Sequence, residues 1–144
     1  MTGTSGLRPF HLAFPVADLA ATRRFYRDVL GCRLGRESET WVDFDLLGHQ
    51  LSAHLRPGMA AAAGAGAVDG DAVPIPHFGL VLTMAQWEAL RDRLMGRTDV
   101  DWLLAPKVRF KGEPGEQATM FLRDPSGNGL EFKAFGDDAA IFAT

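Results

Sequence analysis

Four side chains at matching places along the chain form a set that could bind a metal ion: His11, Ser52, His77 and Glu131. Two imidazoles and one carboxylate, with a weak hydroxyl in the fourth place, make a triad that leaves coordination positions open. Such a set suits Fe(II) or Mn(II) and tolerates Zn(II), Ni(II) or Co(II). Each residue alone has a simpler interpretation, because a lone strand histidine is more often a surface or core residue. Glu131 alone reads as a solvated glutamate on the polar face of an edge strand.

An internal repeat connects these four positions. The segment 11–14 matches 77–80, and the segment 45–52 matches 124–131. Two equivalent modules packed about a pseudo-twofold axis would bring equivalent positions together. The repeat therefore predicts His11 close to His77, and Ser52 close to Glu131.

The repeat also predicts the fold class, which is α+β with two modules of strand–helix–three strands. The predicted divisions are module one at 8–55, an Ala/Gly-rich linker at 56–75, module two at 76–135 and a C-terminal tail at 136–144. We interpret the linker as a mobile connection because it has few groups to bury, and Gly64 and Gly66 weaken any helix in its alanine run.

Periodicity and turn residues predict the individual elements. Helices are expected at 19–30, capped by Asp18 and ended by Gly31, and at 84–95, ended by Gly96. Strands are expected at 8–16, 32–34, 40–45, 50–55, 75–82, 117–122 and 130–135, and the segments 102–104 and 107–110 form either one strand or a broken pair. In the last strand Glu131, Lys133 and Phe135 share one face.

Composition excludes several classes of function. The net charge of −3, with acids and bases mixed, gives neither a nucleic-acid surface nor a basic membrane anchor. The single cysteine, Cys32, excludes an internal disulfide framework and a cysteine-rich zinc site. No apolar stretch is long enough for a membrane span, and the first residues have no signal-peptide core. We expect a cytoplasmic protein with a small-molecule substrate and no nucleic-acid or membrane partner.

Several motifs together resemble the vicinal oxygen chelate superfamily, also called the glyoxalase/bleomycin-resistance/extradiol-dioxygenase fold. They are FHLAFPV at 10–16, FYRDVLG at 25–31, HFGLVL at 77–82 and DPSGNGLEF at 124–132. The stretch 107–128 is further similar to a bacterial subgroup of predicted extradiol dioxygenases. The resemblance implies two βαβββ modules that form a curved, cup-shaped mixed sheet around a divalent metal, with His11, His77 and Glu131 as its ligands.

The resemblance also implies a shared chemistry, in which two neighbouring substrate oxygens chelate the metal. A metal-dependent, dioxygenase-like enzyme is the expected function. A glyoxalase-like lyase or isomerase, or a transferase, is an alternative, although glyoxalase-type isomerases place a second carboxylate where this chain has Ser52. A non-catalytic, resistance-type binding protein is a third, although bleomycin-sequestering members lack the metal triad.

Four residues have expected roles around the metal. By resemblance, His54 is the catalytic acid/base of the dioxygenase branch, and a plain surface histidine is the alternative. Ser52, Arg109 and Phe121 are expected to contact substrate, with Arg109 pairing an anionic group. Phe121 stands where that branch has a tyrosine, and a phenyl ring cannot donate a hydrogen bond.

A homodimer is the expected assembly. Small two-module members of the superfamily usually pair, and a sheet open on one side exposes edges and apolar surface that must be covered. The linker is long enough to let modules exchange between chains.

Overall fold

The computed structural model describes residues 6–59, 64–68 and 71–144. The chain divides into two compact units, Met1–Ala60 and Ala61–Thr144. The start of the alanine run, 60–63, and the first five residues lie outside the described ranges, as do the expectations that concern them.

The first unit contains one four-stranded mixed sheet and one helical segment. Its elements are β1 (His11–Val16), α1 (Leu19–Arg23), a π-helical turn (Arg24–Val29), β2 (Arg33–Glu37), β3 (Trp41–Leu46) and β4 (His49–Leu55). The strand order is β1-β4-β3-β2, in which β1 and β4 are parallel and the other pairs antiparallel.

The second unit repeats this arrangement after an additional hairpin. Its elements are β5 (Gly64–Val68), β6 (Asp71–Ile75), β7 (His77–Leu82), α2 (Met84–Met95), β8 (Asp101–Arg109), β9 (Gln117–Arg123), β10 (Gly129–Phe135) and a 3₁₀ turn (Asp138–Ala140). The sheet order is β7-β10-β9-β8, with β7 and β10 parallel, while β5 and β6 pair with each other.

The predicted α+β class and the repeated βαβββ module are confirmed. The strand registers also reproduce the predicted alignment, because Ser52 pairs with Ala13 in the first unit as Glu131 pairs with Gly79 in the second. His11 and His77 each open the strand that contains this partner. The repeat is therefore present in the backbone pairing as well as in the sequence.

Each sheet buries one face against the helix of its own unit. In the second unit, buried Trp87 of α2 donates its Nε1–H to the carbonyl oxygen of Phe132 at 3.0 Å. In the first, buried Tyr26 stacks on Phe44 with ring centroids 5.0 Å apart. Because side chains alternate along a strand, the opposite face of each sheet holds the candidate site residues.

Some observed strands extend the predicted ones. Within the stretch predicted as a linker, 64–68 and 71–75 pair as β5 and β6. The strand predicted at 32–34 continues to Glu37 as β2. Of the two alternatives for 102–104 and 107–110, the structure has the single strand, β8, whose pairing with β9 shifts register twice.

The two helices match their predicted starts. Asp18 accepts a hydrogen bond from the Ala21 amide, and Thr83 forms a capping box with Gln86 at the start of α2. The helix predicted for 19–30 is α-helical only to Arg23 and π-helical thereafter. No described helix is both long enough and apolar enough to span a membrane.

The close approach of β7 and β10 leads to a stability prediction for Gly79→Ala. A Cβ at residue 79 would overlap the backbone carbonyl oxygen of Glu131. The two strands would have to separate, so we expect unfolding free energy to fall by about 3 kcal/mol, measured by denaturant titration. Gly58→Ala is the control, since a Cβ there meets no atom within 4 Å. A Gly79→Ala protein as stable as the control would contradict the close approach.

Candidate functional site

Two of the predicted ligands lie side by side in the second unit. His77 is the first residue of β7, and Glu131 is on the adjacent, parallel β10. The distance between His77 Nε2 and Glu131 Oε1 is 3.3 Å. Their side chains are only 22% and 17% exposed, so water can form few hydrogen bonds with their polar atoms.

The remaining atoms of both side chains have fixed partners. His77 Nδ1 lies 2.8 Å from the carbonyl oxygen of Pro74, which can only accept, so Nδ1 bears the proton. The Thr119 hydroxyl donates to Glu131 Oε2 at 2.7 Å. In the neutral form of the imidazole, the lone pair on Nε2 then faces the carboxylate oxygen Oε1.

This arrangement fits a bound cation. At 3.3 Å the carboxylate oxygen and Nε2 need a positive charge between them, which is either a proton on Nε2 or a cation. A metal ion satisfies that requirement, because imidazole and carboxylate are both common ligands and the imidazole is already held by its other nitrogen. The donor chemistry of this pair is thus that of a partial metal site.

The third predicted ligand, His11, belongs to the first unit. Across the described ranges, no three or more His, Cys, Asp and Glu side chains cluster closely enough to hold a metal ion. The structure therefore brings together His77 and Glu131, while the complete three-ligand set stays a prediction.

A cavity of about 330 Å³ surrounds the His77–Glu131 pair. Its polar lining includes Arg109, Thr119 and Lys133, and its apolar lining includes Leu104, Phe121 and Phe135. Phe121 packs edge-on against the His77 ring with centroids 5.0 Å apart. Two of the predicted substrate-contacting residues, Arg109 and Phe121, thus lie in the same cavity as the pair.

Sequence reasoning missed Thr119 and Lys133 in this cavity. Strand alternation could have predicted both residues. Thr119 is two residues before Phe121, and Lys133 is two residues after Glu131, so each shares a strand face with a predicted site residue. The antiparallel register then pairs Thr119 with Lys133. The alternation that indicated Phe121 and Glu131 therefore indicated these two as well.

The first unit places the other candidate residues on its polar face. His11 is exposed, and its Nδ1 lies 2.8 Å from Gln50 Oε1. Ser52 is 5% exposed and donates its hydroxyl hydrogen to Asp43 Oδ1 at 2.6 Å. Asp43 and Gln50 were both missed by the sequence analysis.

His54 lies on the same face of β4 but farther along the strand. It pairs with Pro15 and Trp41, whereas His11 pairs with Gln50. Gln50 and His54 are four positions apart along the strand, which corresponds to a distance of about 13 Å. Within the first unit, His54 is therefore remote from His11.

Comparisons with known proteins agree with this architecture. The family model of the Glyoxalase/Bleomycin resistance protein/Dioxygenase superfamily matches residues 8–132. A solved structure described as a glyoxalase/bleomycin resistance protein/dioxygenase from Alicyclobacillus acidocaldarius is 32% identical. That alignment covers 93% of this chain and 96% of the other, with a TM-score of 0.74.

Two more distant structures share the fold alone. A fosfomycin resistance protein from Listeria monocytogenes is 16% identical, with a TM-score of 0.61 over 92% of this chain and 94% of its own. A lactoylglutathione lyase from Agrobacterium tumefaciens is 20% identical, with a TM-score of 0.57 over 92% of this chain and 96% of its own.

No curated protein sequence matches the chain. The family model nevertheless covers most of its length, including His77 and Glu131. The chain therefore belongs to the Glyoxalase/Bleomycin resistance protein/Dioxygenase superfamily.

Proposed function

We propose that this protein is a metal-dependent, dioxygenase-like enzyme whose small substrate chelates the metal through two neighbouring oxygens. The observation that supports it best is the 3.3 Å distance between His77 Nε2 and Glu131 Oε1 at the wall of a cavity. Superfamily members generally bind divalent metals, and the two-histidine, one-carboxylate set favours Fe(II) or Mn(II) over Zn(II), Ni(II) or Co(II).

His11, His77 and Glu131 hold the ion in this proposal. A bound divalent ion polarises the two chelating oxygens of the substrate as a Lewis acid. Thr119 anchors one oxygen of Glu131 by its 2.7 Å hydrogen bond, so the other oxygen remains directed at the ion. The Pro74 carbonyl anchors His77 in the same way.

The cavity favours an anionic substrate with an apolar body. Arg109 and Lys133 contribute positive charge to its wall, and Phe121, Phe135 and Leu104 contribute apolar surface. A volume of about 330 Å³ suits a substrate of one aromatic ring with small substituents. We therefore propose a ring with adjacent oxygens and a carboxylate as the preferred substrate class.

His54 is the proposed acid/base. Phe121 cannot donate a proton or a hydrogen bond, so proton transfer to and from substrate oxygens requires another residue. An imidazole can accept and return a proton near neutral pH.

A lyase or transferase that does not consume oxygen is the second candidate. The observation that favours it is Phe121, because the dioxygenase branch has a hydrogen-bonding tyrosine there. One protein that shares the fold is described as a lactoylglutathione lyase.

Metal content tests the proposed ligands. We expect Glu131→Ala and His77→Ala to lose most of the metal found in the wild-type protein, because a three-ligand site has no spare donor. The measurement is metal per chain by elemental analysis after gel filtration. Glu88→Ala is the control, since Glu88 is an exposed carboxylate on α2 and should leave metal content unchanged. Full occupancy in Glu131→Ala would refute the assignment.

Oxygen uptake separates the two candidate reactions. With Fe(II) loaded, we expect an oxygen electrode to record uptake with catechols, faster with a carboxylated catechol than with the parent compound. His54→Ala should retain metal but lose turnover by about 10²-fold or more. Turnover of a substrate without oxygen consumption would favour the second candidate. Tight ligand binding that survives chelation, with no turnover, would indicate a binding protein.

We also propose a homodimer as the functional unit. If modules exchange between chains, His11 comes from one chain and Glu131 from the other. Inactive His11→Ala and Glu131→Ala proteins, unfolded together and refolded as a mixture, should then recover part of the activity, because some dimers contain one intact site. Each variant refolded alone is the control and should stay inactive. A metal-loaded protein that is monomeric at micromolar concentration would contradict the dimer.

A further inference from the structure

The first unit contains a buried carboxylate that the proposed function does not use. Asp43 lies on β3 opposite Ser52, and only 5% of it is exposed. Ser52 donates its hydroxyl hydrogen to Oδ1 at 2.6 Å. On the other side, Arg36 Nη2 lies 3.5 Å from Oδ2. These donors hold Asp43 as an acceptor in a fixed orientation.

Gln50 connects this carboxylate to His11. Its Nε2 donates to Asp43 Oδ2 at 3.5 Å, and its Oε1 lies 2.8 Å from His11 Nδ1. Because a carboxylate only accepts, the amide turns its NH₂ group to Asp43 and its oxygen to His11. An amide oxygen also only accepts, so in the neutral form of His11 the protonated nitrogen is Nδ1. The lone pair is then on Nε2.

The second unit reaches the same tautomer by different means. His77 Nδ1 donates to the main-chain carbonyl of Pro74 at 2.8 Å. His11 has a side-chain relay in place of that carbonyl. A backbone carbonyl can only accept a hydrogen bond, whereas a glutamine side chain can accept through its oxygen or donate through its NH₂ group. The His11 tautomer therefore depends on what holds the far end of Gln50.

We infer that Asp43, acting through Gln50, is the positioning residue that fixes His11 in the tautomer with a free Nε2. This rests on the proposed function only in that the free Nε2 is the atom offered to the metal. Gln50 is exposed, so water competes for its amide and the buried carboxylate supplies the directional preference. Ser52 serves the same relay by anchoring Asp43, which differs from its predicted contact with substrate.

We expect the substitution Asp43→Asn to reverse the orientation of the Gln50 amide. An asparagine amide can present an NH₂ group to Gln50, which then turns its own oxygen toward residue 43 and its NH₂ toward His11. His11 Nδ1 would become the acceptor and Nε2 would bear the proton. The variant should thus shift the tautomer equilibrium of His11 while leaving that of His77 unchanged.

The decisive experiment measures tautomers in the metal-free protein. Long-range ¹H–¹⁵N correlation spectra, recorded above the ordinary titration range of histidine, distinguish protonated from unprotonated ring nitrogens. His11 signals are assigned from their loss in His11→Ala. We expect protonated Nδ1 in the wild type and a shift toward protonated Nε2 in Asp43→Asn. Asp45→Asn is the matched control, because Asp45 lies two residues along β3 and caps the adjacent turn through the Gly48 amide.

A second readout follows metal affinity by competition with a chelator. Asp43→Asn should weaken binding about 10- to 100-fold, and Asp45→Asn should match the wild type. If Asp43→Asn fails to fold, Gln50→Met decides the matter, because it breaks the relay at an exposed position. Unchanged His11 nitrogen signals in these variants would overturn the inference. A protein that binds no metal would instead overturn the proposed function, since the tautomer measurement needs none.

Discussion

Each repeat is built on the parallel pairing of its first and last strands. A parallel pair needs a crossover connection, and the helix of each unit provides it while covering the apolar sheet face. In the second unit this pairing sets Gly79 against Glu131 and leaves no room for a side chain between the backbones. A slip of one residue would turn Glu131 into the apolar core and Phe132 out of it. The contact between His77 and Glu131 therefore depends on this register.

Local sequence signals predicted the elements wherever those signals were strong. The bounds of α2 were predicted at 84–95 because its apolar residues recur at helical spacing and Gly96 follows the last turn, and the capping box of Thr83 and Gln86 begins the helix at the same place. The β5–β6 hairpin was missed because alanine and glycine alternate without any contrast in polarity. The sequence left β8 open between one strand and a broken pair, and its pairing with β9 shifts register twice. In both cases the pairing partner decides the structure, and a single segment does not reveal its partner.

The candidate site was predictable to the extent that it follows from the repeat. The matched positions of His77 and Glu131 relative to His11 and Ser52 indicated which side chains to compare, and the strand registers agree with that alignment. Asp43 was not predictable in the same way. Between Val42 and Phe44, an aspartate has the alternation of a solvent-facing residue, and only the β3–β4 register shows that Ser52 lies opposite it. Its burial results from neighbours on two other strands.

The two repeats place one carboxylate each at the same strand pair, but on opposite members of it. In the second unit Glu131 is on the last strand and Phe121 lies opposite; in the first, Ser52 is on the last strand and Asp43 lies opposite. Carboxylates at both members of one pair would repel each other, so the positions are alternatives.

The choice of strand and residue separates two roles. Glutamate on the last strand has the longer side chain and keeps one oxygen toward His77. Aspartate on the neighbouring strand is shorter, and its oxygens already face Ser52, Gln50 and Arg36. The carboxylate of the second repeat therefore faces a histidine, whereas the carboxylate of the first repeat is held by other polar side chains.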